Sequence, residues 1–422
     1  MTPEVKERIE QIRRGIVPEG YKKTRSGIVP TDWNEYTVGQ CLERVDRPVD
    51  VQADEMYTQI GIRSHGKGLF YKEPVTGASL GNKAVYWVEP DCFVLNIVFA
   101  WEQAVSKTTQ NEVGMIGSHR FPMYRPIDGR VDVDYLITYM LTKRGKDILE
   151  AASPGGAGRN RTLGQDRFMK SKIILPSVEE QRRIAETLTA QNKTIELKER
   201  LLAEKQSQKK YLMQQLLTGK KRLPGFSGEW RSVKLNEVLF ERKEKNANQN
   251  HRICSVAVQK GVVDQIEHLG RSYAAADTSN YGVAHYGDII YTKSPTGDFS
   301  YGIIKQSHMN EDVAVSPLYG VFEPTCFELG YLLHTYFSYA INCSNYLTPI
   351  IQKGAKNTIN ITNDVFLSKK LYLPMDKAEQ KELAEFFVEA DNEIELLCQS
   401  VEQEKQKKKA LMQLLLTGIV RI

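Results

Sequence analysis

The chain has 422 residues, which exceeds one typical domain, so two or three domains are expected. Hydrophobic residues make up 41% and charged residues 26%, a globular balance that excludes a disordered or fibrous protein. The net charge of +5 is mildly basic, so it permits an acidic partner such as nucleic acid but does not by itself require one.

Cysteine usage and the N-terminal residues indicate the cellular environment. The six cysteines form no C-x-x-C pair and have no histidine at a zinc-binding spacing, so we expect reduced structural thiols and no metal site. The first residues lack the apolar core of a signal peptide, and no run approaches the ~20 apolar residues of a membrane span. We therefore expect a soluble, cytoplasmic protein.

The first predicted element in chain order is a short helix over residues 4–14, where apolar residues recur at helical spacing. A mixed, mostly β domain follows over residues 16–176. Its clearest β runs lie at 84–88 and 93–99, between residues that favour turns. Near its end, apolar periodicity predicts one helical stretch over 132–152. Residues 1–15, which contain the N-terminal helix, are expected to join a helical scaffold.

A long helix is predicted over residues 177–219. Its apolar residues fall on alternating steps of four and three, the heptad pattern of a coiled coil. The seam residues are Ile184, Leu188, Ile195, Leu202, Leu212 and Leu216, completed by Gln191, Lys198, Lys205 and Lys209. About 40 helical residues span ~60 Å. Gly219 stands where a left-handed residue would end the helix.

The second half of the chain repeats this plan. A second mixed, mostly β domain is predicted over residues 220–374, with β runs at 288–291 and 319–322 and one helical stretch at 328–342. A second long helix covers 375–422. Its seam residues are Leu383, Phe387, Ala390, Ile394, Leu397, Val401, Leu411 and Leu415, interrupted by Glu404 and Lys408.

Two matching amphipathic helices in one chain most simply pack against each other, and pairing with another protein's helices is the alternative. The predicted fold class is therefore α+β. It has two mixed, mostly β domains separated by two long antiparallel coiled-coil helices, with an internal repeat and pseudo-twofold symmetry.

The repeat is carried by short motifs at the same places in both halves. The first copy contains Leu175-Pro176, Glu180-Gln181 and Leu212-Met213-Gln214-Gln215-Leu216-Leu217-Thr218-Gly219. The second contains Leu373-Pro374, Glu379-Gln380 and Leu411-Met412-Gln413-Leu414-Leu415-Leu416-Thr417-Gly418. Trp33 and Trp230 each follow a glycine and are predicted to be core residues. Between these motifs the match is faint: residues 118–126 resemble 316–324, and Asp91 is matched with Asp288.

Motifs of common enzymes are absent from the sequence. It contains no G-x-x-x-x-G-K-[ST] phosphate loop, no H-E-x-x-H and no G-x-S-x-G. Glu241-Arg242-Lys243 has the E-x-K shape of a nuclease but no upstream Pro-Asp, so we interpret it as a solvated charge run. A recognition protein is favoured. A diverged nuclease or methyltransferase and a coiled-coil assembly protein without DNA affinity are the alternatives.

Together these motifs resemble the DNA-specificity subunit of type I restriction-modification enzymes. The resemblance covers nearly the whole chain. It rests on the duplicated Leu-Pro…Glu-Gln and Leu-Met-x-x-Leu-Leu-Thr-Gly motifs, on Gly27 to Trp33, and on Arg222-Leu223-Pro224-Gly225-Phe226-Ser227-Gly228-Glu229-Trp230. The second copy departs by one inserted residue between Pro374 and Gln380.

The resemblance implies a non-catalytic, DNA-binding subunit of a restriction system that takes part in DNA methylation and phage defence. Each target-recognition domain would read one half of a split double-stranded DNA sequence, and the conserved helices would fix the unread gap. The expected partners are two modification (methyltransferase) subunits and, through them, restriction subunits. No cofactor is expected in this chain, because S-adenosylmethionine would bind to the modification subunit.

Candidate DNA-binding residues lie in polar or basic segments between β runs, because base edges and phosphates are contacted by such side chains. Those of the first domain are Arg63, Ser64, His65, Lys67, Gln103, Lys107, Thr108, His119, Arg120, Arg159, Asn160 and Arg161. Those of the second are Gln259, Lys260, Arg271, Lys293, Ser294, Thr296, Lys353, Lys356 and Asn357. For any one of them, a solvated turn is the alternative. The residues beside Gly156-Ala157 and Gly354-Ala355 are expected to neutralise phosphates.

Overall fold

The computed structural model describes residues 2–25, 27–155, 161–353 and 359–422, with backbone alone for residues 352, 353, 359 and 360. The chain forms two compact units. The first contains residues 1–197 and 401–422, and the second contains residues 198–400. No helix among the described residues has an apolar stretch long enough to cross a membrane.

The first unit begins with helix α1 and continues as a mixed domain. Its strands are β1 (Tyr21–Thr24), β2 (Gly27–Pro30), β3 (Asn34–Thr37), β4 (Leu42–Val45), β5 (Met56–Tyr57), β6 (Ile60–Ile62), β7 (Leu69–Tyr71), β8 (Val75–Thr76), β9 (Val85–Trp87), β10 (Phe93–Leu95), β11 (Val105–Lys107), β12 (Ile116–Ser118), β13 (Met123–Pro126) and β14 (Lys172–Leu175). Its helices are α1 (Pro3–Arg13), α2 (Gly77–Leu80), α3 (Val133–Met140), α4 (Lys143–Ala151), α5 (Gln165–Lys170) and the first part of α6 (Val178–Leu216).

The second unit contains the rest of α6 and another mixed domain. Its strands are β15 (Arg231–Lys234), β16 (Leu239–Glu241), β17 (Arg252–Ala257), β18 (Gly261–Asp264), β19 (Gly282–Ala284), β20 (Ile289–Tyr291), β21 (Ile304–Gln306), β22 (Val313–Val315), β23 (Gly320–Pro324), β24 (Gln352–Lys353), β25 (Ile359–Asn360) and β26 (Lys370–Leu373). Its helices are α7 (Gln265–Leu269), α8 (Phe327–Phe337), α9 (Ala340–Leu347), α10 (Asn363–Ser368) and most of α11 (Lys377–Leu415).

Each domain is built on an antiparallel four-stranded sheet with the same strand order. The order is β11-β10-β13-β4 in the first domain and β21-β20-β23-β16 in the second. The short sheets β14-β3 and β15-β26 are also equivalent, because each pairs the strand that follows Trp33 or Trp230 with the last strand before a long helix. This agreement confirms the predicted α+β fold class with two related, mostly β domains.

Each domain also has a second group of paired strands, which forms a continuous sheet in the second domain but not in the first. In the second domain β18, β17, β22 and β19 form a continuous sheet in which β17 and β22 are parallel. The first domain has the pairs β6-β7 and β9-β12, linked by an isolated parallel bridge between Gln59 and Ile116. The connections are therefore the same, but the first domain has fewer ladder hydrogen bonds there.

The strand registers correct one predicted match between the halves. Pro126 and Pro324 pair with Leu42 and Leu239. In the same registers Phe93 lies opposite Tyr124 and Ile289 lies opposite Phe322, so Phe93 and Ile289 are equivalent. Asp288 therefore corresponds to Cys92, not to Asp91. Asp91 corresponds to Gly287, and both adopt left-handed backbone angles, with φ of +55° and +90°.

The single helical stretches predicted in each domain are wrong in one respect, because each is broken in two. In the first domain α3 ends before Thr142, whose extended backbone and hydroxyl begin α4 by accepting the Gly145 N–H at 3.1 Å. In the second domain the extended Tyr339 separates α8 from α9. The β run at 93–99 is also shorter than predicted, because the Asn96 side chain accepts the Val98 N–H in a local turn.

The long helices α6 and α11 pair antiparallel within each unit, as the heptad pattern predicts. In the first unit Gln191 Nε2 donates to Glu404 Oε2 at 2.8 Å. In the second, Lys198 Nζ donates to Ser400 Oγ at 2.8 Å, and Lys209 forms an ion pair with Asp391. All predicted seam residues are buried or half-buried. Both helices have 39 residues and end before glycines with positive φ, +68° at Gly219 and +71° at Gly418.

The repeated motifs hold the ends of the long helices. In the second unit Arg222 donates two hydrogen bonds to Glu379 at 2.5 and 2.6 Å, and Trp230 Nε1 donates to the same carboxylate at 3.1 Å. In the first unit Arg421 bonds Glu180 in the same bidentate manner, at 2.5 and 2.8 Å. These arginines stand three residues after the helix-ending glycines, and we call the two arrangements the helix clasps.

The two tryptophans are buried, as predicted, with 1% of Trp33 and 5% of Trp230 exposed.

The interpretation of Glu241-Arg242-Lys243 as a solvated charge run is wrong for its central residue. Arg242 is half-buried and donates to both oxygens of the buried Asp288 carboxylate, at 2.6 and 3.1 Å. It therefore anchors β16 to the start of β20.

Candidate nucleic-acid interface

Three of the predicted DNA-binding residues of the first domain are engaged within it. Thr108 is fully buried, and its hydroxyl donates to the backbone oxygen of Glu89 at 2.6 Å. Lys107 Nζ forms an ion pair with Asp134 at 2.9 Å. The Gln103 amide donates to a backbone oxygen at the end of α3 at 2.9 Å. The structure thus places Thr108 inside the domain and uses the other two to hold it together.

The segment 63–68 forms a loop fixed against a neighbouring turn. His65 and Gly66 have φ of +60° and +61°, and their backbone nitrogens donate to carbonyl oxygens of the turn at residues 100–103, at 2.8 and 3.0 Å. The Ser64 hydroxyl donates to the carboxylate in that turn at 2.8 Å. This anchoring leaves the side chains of Arg63, His65 and Lys67 exposed.

The turn after β10 brings several predicted residues together. The Ile97 N–H donates to the backbone oxygen of Arg120 at 3.0 Å, and the Ile97 oxygen accepts from Leu163 at 2.8 Å. The Arg161 guanidinium lies over the Trp101 ring, 5.6 Å from its centre. We define the Trp101 surface by its residues: Arg63, Ser64, His65, Lys67, Phe99, Trp101, His119, Arg120 and Arg161.

The Trp101 surface combines cations with aromatic rings, a pairing that suits a nucleic acid. Beside it is a cleft of about 380 Å³ lined by Phe70, Lys72, Phe99 and Glu102, among others. The prediction from sequence did not include Phe99 or Lys72. The available signal was Phe99 itself, a large apolar residue at the end of the predicted β run 93–99, which the structure shows to be exposed.

In the second domain the structure places the described candidates in three separate loops. Gln259 and Lys260 lie at the exposed turn between β17 and β18. Arg271 follows α7, with its guanidinium 4.5 Å from the centre of the Tyr273 ring. Lys293 has φ of +54°, and burial lowers its pKa. The exposed Ser294 and Thr296 continue the loop after β20.

Several predicted residues cannot be placed in this way. Arg159, Asn160, Lys356 and Asn357 lie outside the described residues. Lys353 lies in β24, where the backbone alone is described. The predicted phosphate-binding role of the two glycine-rich loops therefore stays a prediction, with Arg161 the one member whose side chain is placed. Among the described residues, no group of three His, Cys, Asp or Glu side chains is arranged to hold a metal ion.

Comparison with known proteins identifies relatives of the whole chain. Residues 78–205 match the family model of the type I restriction modification DNA specificity domain. The chain is 24% identical to the type I restriction enzyme MjaVIII specificity subunit of Methanocaldococcus jannaschii, over 96% of each chain.

Two solved structures share the fold. The HsdS subunit from Thermoanaerobacter tengcongensis has a TM-score of 0.51 and 17% identity, covering 93% of this chain and 98% of that one. A chain from a structural study of assembly and conformational transition in the type I R-M system has a TM-score of 0.53 and 16% identity, covering 93% of this chain and 99% of that one. Residues 78–205 therefore form a type I restriction modification DNA specificity domain, and the duplicated motifs and two matching domains extend the similarity to specificity subunits over nearly the whole chain. Specificity subunits are the non-catalytic, DNA-recognising subunits of type I restriction-modification enzymes.

Proposed function

We propose that each of the two domains reads one half of a bipartite double-stranded DNA target. The observation that supports this division is a shared framework with different surface charges. Arg44 and Glu241 occupy equivalent places opposite Tyr124 and Phe322, and Arg125 corresponds to Glu323. Two copies of one scaffold that present different side chains would contact different base sequences.

The Trp101 surface is the proposed DNA-facing part of the first domain. Its exposed arginines and lysine would bind phosphates, and Ser64, His65 and His119 carry groups that can reach base edges. In the second domain Arg271, Lys293 and the residues that follow it would do the same. Most protein–DNA hydrogen bonds go to the backbone, so we expect phosphate contacts to outnumber base contacts on both surfaces.

The paired helices are proposed to set the length of the unread gap. Each has 39 residues, which corresponds to ~58 Å of helix. A helix has a fixed rise per residue, so its length would act as a ruler in a way that a flexible linker could not.

We propose that two copies of one partner bind to the two equivalent halves of the chain. The chain carries two helix clasps built from equivalent residues, which supports docking of two copies of one modification subunit. That subunit would bind S-adenosylmethionine, and restriction subunits would join through it. The structural relative from the type I R-M assembly study supports membership in such a complex. We place the complex in the cytoplasm, where chromosomal DNA is.

Exchange of one domain tests the division of the target. Residues 40–155 would be replaced by the equivalent block of a relative whose target is known, and methylated sites would be sequenced in cells that also express the modification subunit. We expect one half-site to change and the other half-site to stay. The matched exchange of residues 237–353 should change the other half-site. A single exchange that altered both halves would contradict independent reading.

An insertion tests the ruler. Adding about four residues, one helical turn, within α6 should lengthen the gap by up to about two base pairs and leave both half-sites unchanged, because a coiled coil absorbs such an insertion by local rewinding. An unchanged gap in a folded variant would show that the helices do not measure it.

An activity assay tests the enzyme alternative. The purified chain, given Mg²⁺ or S-adenosylmethionine, should neither cut nor methylate DNA, and either activity would favour that alternative.

A further inference from the structure

The second unit contains a cavity of about 760 Å³. Strand β21, helix α8, the β17-β18 turn and the parts of α6 and α11 that belong to this unit contribute to its wall. The wall includes Lys209, Lys305, His308, His334, Thr335 and Ser338. A volume of this size accommodates a small molecule or a part of a larger one.

Lys305 is the unusual residue of this cavity. It is 6% exposed, and its ammonium group donates to Ser338 Oγ at 2.8 Å. No carboxylate among the described residues lies within ion-pair distance of it. Lys209 differs, because it pairs with Asp391, which also accepts the Tyr331 hydroxyl at 2.7 Å. Burying a cation without a counter-charge costs desolvation free energy, and an anion bound in the cavity would offset that cost.

A second buried polar group faces the same cavity without a partner. Thr335 is 2% exposed, and its hydroxyl has no hydrogen-bond partner among the described residues. It lies three residues before Ser338 on α8, so both hydroxyls are on one face of the helix. The Ser338 hydroxyl accepts from Lys305 and donates to the His334 backbone oxygen at 2.8 Å, so it holds the ammonium group in place. The remaining donors, the Lys305 ammonium group and the Thr335 hydroxyl, suit an oxyanion.

The other ionisable groups of the wall leave this assignment intact. Burial lowers the pKa of Lys305 to about 8, so most molecules carry the ammonium form at neutral pH. Burial also lowers the pKa values of His308 and His334, which favours neutral imidazoles. Asp391 is neutralised by Lys209, whereas the exposed Lys260 and Glu395 stand in the wall with opposite charges.

We propose that this cavity binds a phosphate-class oxyanion, with Lys305 as its counter-charge, the Thr335 hydroxyl as a hydrogen-bond donor, and Ser338 positioning the Lys305 ammonium group. The anion is either a phosphate group of the DNA backbone or a free phosphate compound. The site belongs to the second unit, because Ser106 occupies the place of Lys305 in the first: Val94 lies opposite Ser106, and Ile290 lies opposite Lys305.

Calorimetric titration of the full chain with inorganic phosphate at pH 7 tests the proposal. We expect saturable binding that Lys305→Met weakens at least tenfold and Thr335→Val weakens several-fold. Lys243→Met is the matched control, because Lys243 is an exposed lysine of the same unit and should leave the affinity unchanged. Absence of saturable binding, or wild-type affinity in the folded Lys305→Met chain, would overturn the proposal.

Sulfate provides a second test, because its charge does not change between pH 7 and 9. Sulfate affinity should fall as the pH rises through about 8 in the wild type, since binding then requires protonation of Lys305. It should be insensitive to pH in Lys305→Met. An unchanged wild-type affinity over this range would contradict the role of Lys305.

Competition distinguishes the two sources of the anion. A 30-base-pair duplex of arbitrary sequence should displace phosphate if the cavity receives the DNA backbone, and should leave phosphate bound if the ligand is a free compound. Both results presuppose saturable phosphate binding, which is measured without DNA. The result is therefore independent of whether the two domains read separate half-sites.

Discussion

The two domains share one backbone arrangement, but at one pair of equivalent positions the acidic and the basic residue are exchanged. In the first domain Arg47 donates to Glu89 at 2.7 Å. In the second, Glu244 faces His285 at 2.8 Å. The positions correspond, because the Trp87 N–H donates to the Arg47 oxygen and the Val283 N–H to the Glu244 oxygen. The acidic residue has moved from one of the two paired segments to the other.

This exchange shows how the repeat can diverge without losing its fold. Backbone hydrogen bonds at an isolated bridge, Pro48 with Tyr86 and Lys245 with Gly282, hold the two segments at the same register in either domain, whichever side chain carries the negative charge. Exposed ionic contacts contribute little to stability, so they are free to change. The residues retained in both halves, by contrast, lie at the helix clasps and in the cores.

The helix clasps also differ between the halves in burial. The Glu379 side chain is 1% exposed and binds both Arg222 and Trp230. In the first unit the Glu180 side chain is 7% exposed. Arg421 is 40% exposed, against 23% for Arg222, and divides its hydrogen bonds between Glu180 and Asp32. The stability of the second unit should therefore fall more when one residue of its clasp is replaced than that of the first unit does.

Removal of the clasp arginines should give the largest effect. Arg222→Met leaves the Glu379 carboxylate buried with fewer donors and should destabilise the second unit by about 3 kcal/mol or more. Arg421→Met should cost the first unit roughly 1–2 kcal/mol, between the values for buried and surface pairs. Hydrogen exchange measured by mass spectrometry would report each unit separately. Equal losses of protection in the two variants would refute the difference in burial.

The tryptophans should give the next largest effect. Trp230→Phe removes a hydrogen bond to a charged group and should cost about 2 kcal/mol beyond the lost packing. Trp33 Nε1 is buried with no hydrogen-bond partner among the described residues, so Trp33→Phe should lose packing alone. Denaturant unfolding followed by unit-resolved hydrogen exchange gives both values. A larger loss in Trp33→Phe would contradict the assigned hydrogen bonds.

The long helices, the repeat and the mostly β domains could be predicted because they depend on local spacing. Heptads, cap glycines and alternating β runs are visible in the sequence. The breaks at Thr142 and Tyr339 could not, because apolar periodicity continues across both and the break depends on backbone angles set by packing. Threonine occurs both at helix starts and inside helices, so Thr142 alone does not mark a break in the sequence.

The candidate site was harder to predict because polar loop residues have two uses. Lys107, Thr108 and Gln103 look like DNA ligands in sequence, but their partners come from distant residues such as Asp134. Arg242 was missed for the same reason, since Asp288 lies 46 residues away. The charge of a side chain can be read locally, whereas its partner depends on the tertiary fold.

DNA affinity should respond to the loop cations of the first domain in a uniform way. Replacing Arg159 and Arg161 with Ala should weaken binding to all sequences and reduce the slope of affinity against salt by up to about two, one for each phosphate contact. Lys83→Ala, an exposed change in the same domain, is the control. Retained affinity with relaxed discrimination among bases would instead make these arginines readers. The pair Lys353 and Lys356 allows the same test in the second domain.

The exchanged ion pairs should give the smallest effect, and one that depends on pH. In the second domain the hydrogen bond from His285 is the largest cause that holds the pKa of Glu244 below its usual value. Stability from that carboxylate is therefore present above its unfolded pKa and is lost as the pH falls through the lowered value.

His285 faces Glu244 and Asp312, each at 2.8 Å, so His285→Gln removes the hydrogen bond that favours the charged form of Glu244. The change should cost up to about 1 kcal/mol at pH 7 and less near about pH 3, because exposed pairs are weak and Glu244 gains a proton as the pH falls through its lowered pKa. In the first domain the hydrogen bond from Arg47 is the largest cause that lowers the pKa of Glu89, so Arg47→Gln should show the same small loss and the same decline. Unfolding of the wild type and the two variants at both pH values measures these differences. An effect of His285→Gln that stayed the same at low pH would show that the ring acts by packing, with no contribution from the Glu244 charge.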